Sequence, residues 1–161
     1  MIRHKQQRKN AFSLLEVVIV VAIIAILAAI GIPRMSRGSR GAADSSLKAN
    51  LAVLRNAIDL YAAEHQGSYP DVNDIENQLT KATNSAGGTG GTKAQGYIYG
   101  PYIRKLPPLP VGAKKGSTAI DSATGDDVGW IYDEDSGSIA ANCTDSEKDE
   151  EDNQYNDPNY Y

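Results

Sequence analysis

KNAFSLLEVVIVVAIIAILAAIGIP, residues 9–33, decides how the rest of this chain is read. From Phe12 to Ile32 the only ionisable side chain is Glu16. Coiled as a helix, the run reaches ~31 Å at about 1.5 Å per residue, enough to cross a bilayer's hydrocarbon core. A lone carboxylate in such a segment costs roughly 3 kcal/mol on insertion scales, so its usual explanation is functional. Ahead of the run, residues 1–11 form a basic leader, MIRHKQQRKNA, with Arg3, Lys5, Arg8 and Lys9. Leader and run together admit three readings: a secretory signal peptide, a permanent signal anchor, or a leader cut off before the apolar stretch. Against the first, the run is longer than a signal peptide needs, and its small-x-small site, Ala29-Ile30-Gly31, is followed closely by Pro33.

Beyond Pro33 the helical pattern resumes. Arg34, Arg37 and Arg40 recur every third residue, and Leu47, Leu51, Leu54, Ile58 and Tyr61 follow at steps of four and three. The latter is the single apolar stripe of an amphipathic helix, ended by Gly67-Ser68-Tyr69-Pro70. The spacing predicts one long helix over residues 12–66, with 12–32 as its transmembrane part. Asp71 is the expected N-cap of a short helix carrying Val72, Ile75 and Leu79. Residues 84–96 read as a Gly/Ser/Thr-rich connector, and VGWIYDEDSGSIAAN as a β-hairpin turning at Asp133–Gly137. Residues 67–142 thus make an αβ head, and residues 143–161 an acidic tail expected to be disordered. The expected fold class is α+β, a long N-terminal helix packed on a small antiparallel sheet.

The formal net charge of -4 conceals an asymmetry. Residues 1–120 hold 15 Lys and Arg against 7 Asp and Glu, whereas residues 121–161 hold 1 against 13. That acidic end argues against a nucleic-acid partner. The lone cysteine, Cys143, excludes an internal disulfide, and the two histidines, His4 and His65, are too few for a zinc site of spaced Cys and His. No motif surrounds Cys143 or His65 to make them nucleophile and base, and Thr92-Lys93-Ala94 lacks the glycine and hydroxyl residue of a phosphate-binding loop. Asn142-Cys143-Thr144 matches the glycosylation sequon. No enzyme is expected.

The run AFSLLEVVIVVAIIAILAAIGIP, with its basic leader, small residue, aromatic, Glu four residues later and helix-interior proline, resembles the N-terminal segment of type IV pilins and of type II secretion pseudopilins. The resemblance implies cleavage by a prepilin peptidase between Ala11 and Phe12, and methylation of the new N-terminus at Phe12. One departure is Ala11, where the family usually has glycine. The new amine at Phe12 and Glu16 then form an assembly pair of opposite charges. LRNAIDLYAAEHQGSYP, GPYIRKLPPLP and the Trp-containing hairpin look like the head of a major pseudopilin. Family members can bind calcium near the end of the sheet. Here Asp121, Asp126, Asp127, Asp133 and Asp135 offer hard oxygen donors for calcium, though not at EF-hand spacing.

The implied function is a structural subunit of a pseudopilus that serves protein export. It starts as a single-pass inner-membrane protein with a cytoplasmic N-terminus and a periplasmic head, then polymerises with copies of itself. The implied partners are the prepilin peptidase, an inner-membrane assembly platform, a cytoplasmic ATPase acting indirectly, and minor pseudopilins. The alternatives are a pilin or minor pilin for adhesion, motility or DNA uptake, and a signal-anchored periplasmic binding domain that never polymerises.

Overall fold

The computed structural model describes residues 13–160, with the side chains of residues 30–38 excepted. The chain divides into two units, residues 1–39 and 40–161, and each is considered by itself. Helix α1 runs Leu14–Glu64, where 12–66 was expected. In the first unit its large apolar side chains face outward on every side: Leu14 is 82 % exposed, Val17 50 % and Leu27 64 %. Among the described residues no helix is long and apolar enough to cross a membrane. The apolar side chains described run from Leu14 to Ala29, about 24 Å of helix against the ~30 Å of a hydrocarbon core. The span expected over 12–32 therefore counts residues at both ends that lie outside this description.

In the second unit α1 is one-sided. Leu47, Leu51, Leu54, Ile58 and Tyr61 are buried and form the spine of the core. The helix closes where Gln66 and Gly67 adopt φ of 60° and 87°, and the Gly67 amide reaches back 2.8 Å to the Ala62 carbonyl. Glycine takes that left-handed backbone without a Cβ penalty, which is why the chain stops here. Helix α2, Ile75–Thr80, adds Ile75 and Leu79 to the core. Its N-cap is Asp74 rather than Asp71, and no side chain caps it. Asp71 instead accepts from the Asn73 amide at 2.9 Å, a local turn that competes with capping.

The connector at 84–96 contains one turn of 3-10 helix, Lys93–Gln95. Past it, the chain runs back along α1. The Tyr102 hydroxyl donates to Glu64 at 2.7 Å, and the Asn50 amide donates to the Pro108 carbonyl at 2.9 Å. Fourteen helical residues span about 21 Å, which six extended residues also cover, so this proline-rich stretch lies straight along the helix.

Three strands follow: β1 Ala119–Asp121, β2 Val128–Asp133 and β3 Ser138–Ala141, in the order β1-β2-β3. β2 and β3 form the expected hairpin, with Trp130 opposite Ala141 and Asp133 opposite Ser138. β1 pairs parallel to β2, so the sheet is mixed and not the antiparallel sheet expected. The residues between β1 and β2 carry the chain back to start β2 alongside β1. Trp130 and Tyr132 turn inward, and their polar tips find the Pro107 and Pro70 carbonyls at 2.9 and 3.0 Å. A buried indole or phenol that keeps a partner avoids the desolvation penalty of an unmade bond.

The largest correction concerns residues 143–160. Expected as a disordered acidic tail, they fold back onto the head, and Tyr155 and Tyr160 are buried in its core. Two aromatic rings supply the apolar area that the acidic composition lacks.

Candidate functional site

The first candidate is the start of α1. Glu16 lies in its first turn, where unpaired backbone amides and the helix dipole favour a carboxylate. From Leu14 to Leu27 every large apolar side chain is at least half exposed, with no polar face among them. A helix apolar all round is stable only where lipid or other protein covers it. Ala11 and Phe12, the expected processing residues, lie outside the described residues.

Residues 6–32 match the family profile of the prokaryotic N-terminal methylation motif. The chain carries the signature of type IV pilin-like and pseudopilin-like proteins. The match ends at Ile32, before the head begins. No curated protein and no solved structure matches the chain. The motif implies processing by a prepilin peptidase and polymerisation of the pilin kind in general.

The head was expected to offer a calcium site. Among the described residues no group of three or more His, Cys, Asp or Glu side chains could hold a metal ion. Asp121 turns onto its own loop, accepting from the Ala123 amide at 3.2 Å. Asp133 is occupied by the Ser136 hydroxyl at 2.7 Å and the Asp135 amide at 3.0 Å, and those bonds hold its carboxyl below the ordinary carboxylate range. Asp126 and Asp127 sit in the turn before β2, and Asp135 in the hairpin turn. Among the described residues, these five aspartates are not gathered into such a group. Their spacing placed them near the sheet's end, but Asp121 and Asp133 serve to fold their own loops.

His65 and Cys143 are not brought together either. The His65 ring stacks on Tyr61 at 3.9 Å, with Nδ1 2.8 Å from the Tyr61 carbonyl and Nε2 3.0 Å from that of Asn84. Nε2 thus ties the end of α1 to the Gly-rich connector, while Nδ1 stays within the helix. Cys143 lies beside Gly112 and Glu147 and lines a groove of about 490 Å³ on the outer sheet face with Ile131 and Ala140. Burial, reinforced by Glu147, pushes its thiol up to about 12, so it is held as the neutral, poorly nucleophilic form. Asn142 of the sequon is buried, and its amide donates to the Val128 carbonyl at 2.8 Å, leaving it turned inward.

The side chains of Arg34 and Arg37 lie outside those described, while Arg40 is exposed. Sequence reasoning missed Asp44, Lys48 and Arg55 on α1 as receivers of the C-terminal segment. The Tyr155 hydroxyl donates to Asp44 at 2.7 Å, and Arg55 donates to the Pro158 carbonyl at 2.8 Å. The available signal was the pair of tyrosines inside an acidic stretch, since disordered segments are poor in aromatics.

Proposed function

We propose that this chain is a structural, non-catalytic subunit of a type II secretion pseudopilus. In this reading the apolar run holds the precursor in the inner membrane with its head in the periplasm. A prepilin peptidase cuts after Ala11, and the subunits then leave the membrane as a filament with their apolar helices packed together. Supporting the reading is one observation above all: a helix exposed and apolar on all sides from Leu14 to Leu27, lying within a methylation motif. Glu16 is the single charge in that surface. Opposite an amine at Phe12, or at Phe12 of the next copy, it would be paired, and one register of helix packing would be favoured over its neighbours.

The head likeness in LRNAIDLYAAEHQGSYP and GPYIRKLPPLP and the lone Cys143 favour secretion over a pilus for adhesion, motility or DNA uptake. Intact-mass measurement of membrane-extracted protein tests processing: loss of residues 1–11 with one added methyl on Phe12 is the expected result. An uncut chain overturns the reading in favour of a signal anchor. Deleting the gene separates the two filament readings, since loss of exported protein with normal motility and adhesion marks secretion, and the reverse marks a pilus.

A further inference from the structure

The C-terminal segment is gripped at two places by groups of different chemistry. At its start, Glu147 accepts from the Thr144 amide at 2.8 Å and from the Ala113 amide at 2.6 Å, tying the segment to the loop that follows Leu109. Gly112 in that loop has φ of 72°, and a Cβ there would meet Cys143 Sγ and the Glu147 carboxylate at 2.8 and 2.9 Å, so only glycine permits the approach. At its end, Tyr155 and Tyr160 meet edge to face at 5.7 Å and are buried against α1. The Tyr155 hydroxyl donates to Asp44, and Lys48 lies 5.3 Å over the Tyr160 ring. Arg55 donates to the carbonyls of Pro158 and Tyr160 at 2.8 and 3.2 Å. Asp44, Lys48 and Arg55 are four and seven residues apart, hence on one stripe of the helix.

Between the two grips the segment is held mostly by itself. Asp149 accepts from the amides of Asn153 and Glu151 at 2.8 and 2.9 Å, and Lys148 pairs with Asp152 at 3.0 Å. Tyr155 and Tyr160 belong to the same buried cluster as Leu47 to Ile139, whereas residues 144–154 add no side chain to it.

We propose that residues 144–160 form a strap, a separate cooperative unit closed on α1 by phenol–carboxylate and guanidinium–carbonyl bonds, which opens without unfolding the head. Segments with few apolar anchors and many surface hydrogen bonds open at lower free energy than the core they cover. The strap ties α1 residues 44–55 to the far end of the chain, so its opening frees that part of the helix surface while the sheet stays folded. The inference holds whether the chain serves a pseudopilus, a pilus or neither.

The test uses a built-in reporter, since Lys148 is the only Lys or Arg after Lys115. The detergent-solubilised full chain is exposed to limiting trypsin at pH 8, and release of peptide 149–161 is timed by mass spectrometry beside the loss of helical circular dichroism. In the wild type, release is slow and precedes any loss of the helical signal. Arg55→Ala and Tyr155→Phe each speed it roughly tenfold, since each removes a bond in which one partner is charged. Asp44→Asn keeps the volume and an acceptor oxygen but removes the charge, so it speeds release by less, roughly threefold, which covers the case in which Arg55→Ala fails to fold. Release from the wild type at the rate of a free peptide of residues 143–161 overturns the strap, as does release that tracks loss of the helical signal. Release accelerated by EDTA overturns the assignment of closure to these bonds.

Discussion

The two described stretches of α1 share a helix and differ in almost everything else. Residues 14–29 are apolar on every side and exposed on every side, whereas residues 47–61 are apolar on one side, and that side is buried. The second stretch meets its needs within the chain: Leu47, Leu51, Leu54 and Ile58 are covered by the sheet, α2 and the strap residues. The first has no such cover among the described residues, so its stability must come from lipid or other molecules. One stretch is specified by its own fold, the other by its company. Four experiments bear on that difference, and they are taken from the largest effect downward.

Ile24→Asp puts a second carboxylate into the uncovered stretch, at a cost of about 3 kcal/mol for a charge in a membrane-embedded helix. Membrane extraction and filament sedimentation should both collapse, by tenfold or more, while the head melts at its wild-type temperature. A fall in head melting would break the comparison, because it would show the first stretch to be part of the same cooperative unit.

In the covered stretch, Leu54→Ala removes a fully buried side chain and should cost about 2–5 kcal/mol of head stability by denaturant unfolding. Leu60→Ala, six residues on but 56 % exposed, should cost about 0.5 kcal/mol or less. Equal effects at the two positions would mean that α1 is not oriented as described.

Glu16→Ala should leave cleavage at Ala11 intact, as judged by mass, but cut filament yield several-fold. Wild-type yield would remove Glu16 from assembly altogether.

The smallest effect is on pH. Glu147 is held below the ordinary carboxylate range by the Thr144 amide, with the Ala113 amide adding to it. Burial pushes Asp149 up, but the Asn153 side chain and amide, the Glu151 amide and the Tyr160 hydroxyl more than offset this and leave it lowered. A lowered folded value means stability fully present above the unfolded values, about 4, and lost as pH falls through the folded ones. The charged groups near them are Asp44 and Lys48 of α1, which share a cavity with Asp149, and Lys114, which acts on Glu147. Residues 144–160 should become more labile below about pH 4, read as cleavage by an acid-active protease, while the strap is unchanged between pH 6 and 8. Lability that rises toward neutral pH instead would reverse the sign and remove the carboxylates from strap closure.

Much of this was legible from periodicity. The long helix, the stripe from Leu47 to Tyr61 and the hairpin around Asp133–Gly137 all rest on local patterns that one residue's neighbours enforce. What could not be read was nonlocal. Nothing in Ala119–Asp121 distinguishes a strand parallel to β2 from one antiparallel to it, because that choice is made by the path between them. The aspartates at 121 and 133 were legible as oxygen donors, but not that each would be consumed by its own turn. The C-terminal segment misled through its charge. Its two buried tyrosines matter because Asp44 and Arg55, about a hundred residues away, accept and complete them. Composition averaged over the segment hides two residues that outweigh the rest.

One feature of the core gives these experiments an optical handle. Trp130 is the only tryptophan, fully enclosed, with its indole N–H bonded to the Pro107 carbonyl. Its emission comes from the head alone and is silent on residues 14–29, so a blue-shifted spectrum certifies a native head even in a preparation whose apolar helix has aggregated, inserted or polymerised. Light emission and sedimentation, read on one sample, therefore separate a subunit that is misfolded from one that is merely unassembled.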